Sequence, residues 1–204
     1  MTSGVTMSVE EILAWMRARE SRRNQAGMAR YGIVAANGKV FGITMAALRG
    51  LARDVGRDHA LAAALWRSGW HEARLLAAFV DEPARVTVAQ MDRWTRDFDN
   101  WAVCDSTCIH LLSRTPHAWG RVRAWAASPD EFVRRAAFAL VAALAVHDRS
   151  DSDMKFRSAL RLVERHAADP RNFVKKAVSW ALRATGNRSR ALHADALALA
   201  TRLA

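Results

Sequence analysis

The sequence predicts an all-α chain built from stacked helix pairs, an α-solenoid. Three observations lead there. Ala and Leu are abundant, β-branched residues are sparse and only 4 Pro occur in 204 residues, which favours helix almost throughout. Breaks of the Ser-Gly or X-Pro kind recur between helix-length segments. One motif also repeats: Phe132-Val133-Arg134-Arg135-Ala136 returns 41 positions later as Phe173-Val174-Lys175-Lys176-Ala177.

Taken in order, residues 8–19 read as an amphipathic helix. Ser8 and Glu11 form a capping box, and Ile12, Trp15 and Met16 form the apolar stripe. A basic cluster (Arg17, Arg19, Arg22, Arg23) leads into a polar break over 24–27. Residues 28–43 follow as a turn-rich connection broken by Gly32, Asn37-Gly38 and Gly42. Thr44 begins a helix over Met45–Val55 that ends near Gly56. Four helix pairs come next. Residues 58–66 pair with 71–80 across Ser68-Gly69. After Glu82-Pro83, residues 87–98 pair with 101–112. After Thr115-Pro116, residues 118–127 pair with 131–146 across Ser128-Pro129. Residues 151–167 pair with 172–185 across Asp169-Pro170, and a last helix runs over about 190–203.

The net charge of +11, from 31 Lys+Arg against 20 Asp+Glu, points to a polyanionic partner, most often nucleic acid. Arg dominates, which suits bidentate phosphate contacts. The competing reading spreads an Arg-rich composition over a solvated face. No apolar run approaches about 18 residues, so no membrane span is expected. The first ten residues lack the pattern of a signal peptide. Cys104 and Cys108 suit a reducing compartment, hence the cytoplasm. Four apart on a helix, they read as two core thiols in preference to a metal-binding pair. His71-Glu72 lacks the second His of a zinc-protease motif, no phosphate-binding Gly loop occurs, and the other His residues show no ligand spacing. No metal and no cofactor are expected.

Numbering each second helix from its aromatic as zero aligns Trp70, Trp101, Phe132 and Phe173; the first three stand 31 apart. Positions +1, +5 and +8 are mostly small and apolar, a core seam between repeats. The neighbouring face holds zero, +3, +4 and +7: Trp101 (zero), Asp105 (+4), Arg135 and Lys176 (+3) and Trp180 (+7). In a stacked solenoid equivalent faces line one surface, so these side chains can converge. Otherwise the tryptophans are core and the charges rim. Asp97 and Asp99 precede the helix and read as turn or cap residues.

The helix pairs, the Trp101–Asp105 pair, the run over 132–138 and the run over 172–183 together resemble the AlkD-like DNA alkylation repair glycosylases, over about residues 28–187. The resemblance implies a single domain over 1–204, an α-solenoid of HEAT-like repeats with a concave basic face. In that division, 1–27 is an N-terminal helix and linker, 28–187 the repeats and 188–204 a C-terminal helix. It further implies excision of cationic alkylated purines, such as 3-methyladenine and 7-methylguanine, from double-stranded DNA by a monomer, without flipping the base into a pocket. Trp101 and Trp180 match the aromatics that contact the lesion-bearing nucleotide, Asp105 the catalytic carboxylate and Arg135 the backbone-contacting Arg. Arg134, Lys175 and Lys176 would add nonspecific, salt-sensitive DNA affinity. The chain departs from the resemblance at Ala102, where many relatives carry an acid, and in its tail at 186–190. A noncatalytic DNA-binding repeat protein and a protein–protein scaffold are the competing functions.

Overall fold

The computed structural model describes residues 7–148 and 152–203, and among these it contains helices and turns without a strand. In chain order the helices are α1 (Val9–Arg17), α2 (Arg22–Arg30), α3 (Met45–Val55), α4 (His59–Arg67), α5 (His71–Val80), α6 (Val88–Arg96), α7 (Trp101–His110), α8 (Ala118–Ala126), α9 (Glu131–His147), α10 (Met154–His166), α11 (Asn172–Gly186) and α12 (Arg190–Leu203). A single 3-10 turn, Leu112–Arg114, follows α7. No described helix is long and apolar enough to cross a membrane.

Local chemistry accounts for most boundaries. At α1 the Ser8 hydroxyl accepts from the Glu11 N–H at 3.2 Å, and the Glu11 carboxylate accepts from the Ser8 N–H at 2.7 Å, the reciprocal box the sequence predicts. Thr44, Asp58 and Thr87 cap α3, α4 and α6 through side-chain oxygens. The Ser-Gly and Pro breaks all fall between helices.

The helices group into two compact units. The first comprises residues up to Val86 together with Asp99–Leu111. Its centre is α5, whose His71, Glu72, Ala73, Leu75, Leu76, Ala77, Ala78 and Val80 are buried; α3, α4 and α7 pack on it, and α1 packs on α4. The second comprises Thr87–Phe98 and the chain from Leu112 on. Its centre is α9, which packs chiefly on α11 and α8, with α6 and α10 beside it; α12 lies on α11 and α10. Val133, Leu140, Val174, Val178 and Ala181 of the expected seam are buried here. The position-zero rings of Phe132 and Phe173 lie 5.3 Å apart, tilted by 34°.

Two expectations fail. The stretch over 24–27 is not a break but the body of α2. This helix buries no residue, so it has no apolar stripe to read from sequence. It is held by polar contacts instead: Ser21 caps it, the Asn24 amide donates to the Gly42 carbonyl at 2.8 Å and the Gln25 amide to the Val40 carbonyl at 3.0 Å. The expected pairing of α6 with α7 also fails as a unit, because α7 groups with α5 and α6 with α9. The beginning of the helix expected from 151 touches residues outside those described; α10 is described from Met154.

Candidate functional site

The N-terminus of α7 is built on a buried polar network in the first unit. Asn100, 1% exposed, caps the helix by accepting from the N–H groups of Ala102 and Val103 at 3.1 and 3.2 Å. Its amide donates to the Asp99 carboxylate at 2.7 Å and faces His71 Nδ1 at 3.4 Å. Asp99 in turn accepts from the Ala36 N–H at 2.9 Å, tying the long connection to the helix start. Burial pushes the His71 imidazole below its ordinary pKa, against the opposing pull of Glu72 and Asp99. A neutral Nδ1 can then accept from Asn100. Asp99 is thus a pre-helix residue, as the sequence suggests, while the cap itself is Asn100.

From that base Trp101 and Asp105, four apart, project on one side of α7, both half-buried. The Trp101 indole Nε1 donates to the Tyr31 carbonyl, just past α2, at 2.9 Å. Both side chains line a cavity of about 900 Å³ within the first unit. The seam positions of α7, Ala102, Ser106 and Ile109, line it too instead of being fully packed. Arg23 and Arg30 from α2 and Arg49 from α3 stand on its wall, all exposed at the surface. Asp105 is the one carboxylate among the described lining residues. An apolar hollow with a tryptophan, one acid and three arginines can hold an anionic ligand that carries a local cationic or apolar part.

The loop that closes this cavity is pinned from below. Glu72 is fully buried, and its carboxylate accepts from the N–H groups of Phe41, Gly42 and Ile43 at 3.0, 2.6 and 3.2 Å. Three backbone donors on one carboxylate form a concave anion nest, here filled by the protein itself. Gly42, with φ of +81°, is needed at the turn: a Cβ there would lie 2.5 Å from the Ser21 carbonyl oxygen. The Trp70 ring stacks on Phe41 at 3.8 Å.

The remaining sequence-derived residues belong to the second unit. Lys175 and Lys176 are exposed on α11, and Trp180, one turn further, is half-buried. Arg134 is engaged internally, its Nη1 donating to Asp169 at 2.7 Å. Asp169 is buried and also takes the Arg171 guanidinium at 2.6 Å and the Arg171 N–H at 3.0 Å. The Arg171 side-chain bonds, aided by Arg134, hold its carboxyl well below the usual range despite burial. Arg135 is only 5% exposed, and its Nη1 donates to the Phe173 carbonyl at 2.6 Å. Any phosphate contact by Arg135 must therefore use other guanidinium donors.

Sequence reasoning missed Arg23, Arg30, Arg49 and His71. The arginines sit on helices whose approach to α7 has no sequence signature, two of them on the unrecognised α2. Cys104 and Cys108 are fully buried and not disulfide-bonded. Among the described residues no group of three or more His, Cys, Asp or Glu is arranged to hold a metal ion.

Comparison with known proteins bears on this geometry. The sequence model of the family described as DNA alkylation repair enzyme matches residues 12–203. A solved structure described as "A new family of proteins related to the HEAT-like repeat DNA glycosylases with affinity for branched DNA structures" superposes with a TM-score of 0.85. The two share 22% identity, and the match covers 97% of this chain and 83% of that one. At that identity the likeness establishes the fold, a HEAT-like helical repeat. No curated protein sequence matches the chain.

Proposed function

The chain belongs to the DNA alkylation repair enzyme family, and from that premise we propose that it is a glycosylase. In this reading it hydrolyses the N-glycosidic bond of cationic alkylated purines of the 3-methyladenine and 7-methylguanine type in duplex DNA, as a monomer and without flipping the base into a pocket. The observation that carries the reading is the Trp101–Asp105 pair on one face of α7, at the wall of a cavity bordered by arginines.

The chemistry suits that pair. A purine alkylated at N3 or N7 already bears positive charge and departs neutral, so the general acid of ordinary glycoside hydrolysis is dispensable. What is needed is stabilisation of an oxocarbenium-like sugar and a positioned water. An ionised Asp105 supplies both, the first by its charge and the second as a hydrogen-bond acceptor. A tryptophan face attracts a cation by about 0.5–2 kcal/mol, so Trp101 favours the charged lesion over a normal nucleotide, and Trp180 is assigned to the lesion-bearing nucleotide by resemblance. Arg135 is assigned to the DNA backbone by resemblance, and Lys175, Lys176 and Arg134 to nonspecific phosphate affinity.

The test measures release of 7-methylguanine and 3-methyladenine from alkylated duplex DNA by wild type and by Asp105→Asn. Removing one preorganised charged group costs about 10²–10³-fold in rate, so the variant is expected to fall by that order. Equal release by both proteins sinks the role of Asp105. A second reading, noncatalytic binding of duplex or branched DNA, is motivated by Ala102 beside Trp101 and by the description of the structural neighbour. Wild type that binds a four-way junction tightly and releases no base would establish it in place of the first.

A further inference from the structure

A second basic hollow lies within the second unit, between α8 and α10. It measures about 340 Å³ and has an apolar floor formed by Trp119, Val122, Ala159 and Leu162. Its rim carries Arg123, Lys155, Arg161 and Arg165, all exposed. The α10 residues involved recur along one face from Met154 to Arg165, about 16 Å at the helical rise. A neighbouring hollow of about 460 Å³ shares Arg123, Leu162 and Arg165, so the two form one groove.

The cations of this unit fall into two groups, those set beside a carboxylate and those not, the second including this rim and also Lys175, Lys176 and Arg183 on α11. Arg121, Arg134, Arg157, Arg171, Arg188 and Arg202 each meet a carboxylate within 4 Å. None of the four rim cations has a carboxylate partner among the described residues. Met154, at the groove's edge, is 72% exposed, a large apolar side chain set among like charges. Lys155 Nζ stands 5.8 Å from the centre of the Trp119 ring, and the three arginines around the apolar floor repel one another and leave apolar area wet, which favours a ligand that supplies both complements.

We propose that this groove binds an acidic peptide segment of a partner protein. An aliphatic or aromatic side chain of the peptide rests on the floor between Trp119 and Leu162, and its carboxylates face Arg123, Arg161 and Arg165. About five extended residues span the groove at about 3.3 Å each. A nucleic-acid backbone fits less well, because phosphate contacts satisfy cations while burying little aliphatic surface. The assignment does not rest on the glycosylase reading: Trp101 and Asp105 lie outside this groove, and of the residues given to DNA only Arg134 borders it, in the neighbouring hollow.

The experiment pans a random peptide display library against the full chain and measures the enriched peptides, fluorescein-labelled, by fluorescence polarisation. The expected peptides combine several Asp or Glu with a large apolar residue. Their affinity should fall at least about tenfold in Arg123→Glu/Arg161→Glu and, separately, in Met154→Asp. All three substituted residues are exposed, so melting curves close to wild type are expected. Enriched peptides without acids, or binding unchanged in both variants, overturn the proposal. So does a library that yields no enrichment, or variants that lose binding to an undamaged duplex while keeping the peptide, which would assign the groove to nucleic acid.

Discussion

Replacing Glu72 by Gln should release the loop over 41–43 and lower stability by about 3 kcal/mol. One carboxylate oxygen accepts from Gly42 and Ile43 at 2.6 and 3.2 Å, the other from Phe41 at 3.0 Å, at zero exposure. The amide keeps the shape but has one accepting oxygen. Two bonds survive without their charge, and at the third an NH₂ meets an N–H. A hydrogen bond to a charged group contributes about 1.5–3 kcal/mol, and a buried donor left unmet costs about 1–3 kcal/mol. Loss of one such bond with weakening of two places the sum near 3 kcal/mol, allowing for local relaxation. Urea unfolding measures the total, and amide exchange locates it. Exchange at Phe41, Gly42 and Ile43 should accelerate relative to the α5 interior. Gly42 and Ile43 line the same cavity as Trp101 and Asp105, so the base release proposed above should decline with it. A variant within about 0.5 kcal/mol of wild type, with those three amides unchanged, refutes Glu72 as the anchor of the loop.

Gly42→Ala meets both the positive φ and the Ser21 carbonyl, and thermal melting should show a loss above about 1 kcal/mol. Gly38→Ala, at φ +70° with nothing within 4 Å of its Cβ, should lose less; equal losses would exclude the clash as the cause. Lys175→Ala/Lys176→Ala should leave folding intact and lower the slope of log affinity against log salt for duplex DNA by about 2; an unchanged slope removes both lysines from the DNA contact. Asp169 has a folded pKa below its unfolded one, so it binds fewer protons when folded, and its stabilisation is full above about pH 4 and is lost as pH falls below that. Asp169→Asn should therefore flatten the acid limb of stability against pH and cost about 3 kcal/mol at neutral pH; an acid limb as steep as that of wild type contradicts the linkage.

The all-helical fold was legible because capping residues and breakers are local. Ser8, Thr44, Asp58 and Thr87 act through bonds three residues away, and the Pro breaks act on their own neighbours. The helix α2 was illegible because its stability comes from Asn24 and Gln25 reaching carbonyls of residues 40–42, a partner no window contains. The Trp101–Asp105 pair was legible from spacing alone, since four positions on one helix define a face. The setting of the pair was not. Arg23, Arg30, Arg49 and His71 reach the cavity from other helices, and the affinity of α7 for α5 over its sequence neighbour α6 is a tertiary preference. The paired arginines show the converse limit. Their repeat is plain in the sequence, yet Arg134 meets Asp169 and Arg135 meets the Phe173 carbonyl, partners 35 and 38 residues away.

The bond from Trp101 Nε1 to the Tyr31 carbonyl fixes the indole before any ligand arrives. A ring held this way has little torsional freedom left to surrender, so the ordering cost falls on folding and not on recognition. The acceptor is main chain, and the Tyr31 side chain itself is 76% exposed. A substitution at residue 31 therefore keeps the acceptor, whereas Trp101→Phe keeps an aromatic face and loses its tether. The orientation of the aromatic is set by a main-chain oxygen at the end of α2, not by the side chain of the residue that carries it.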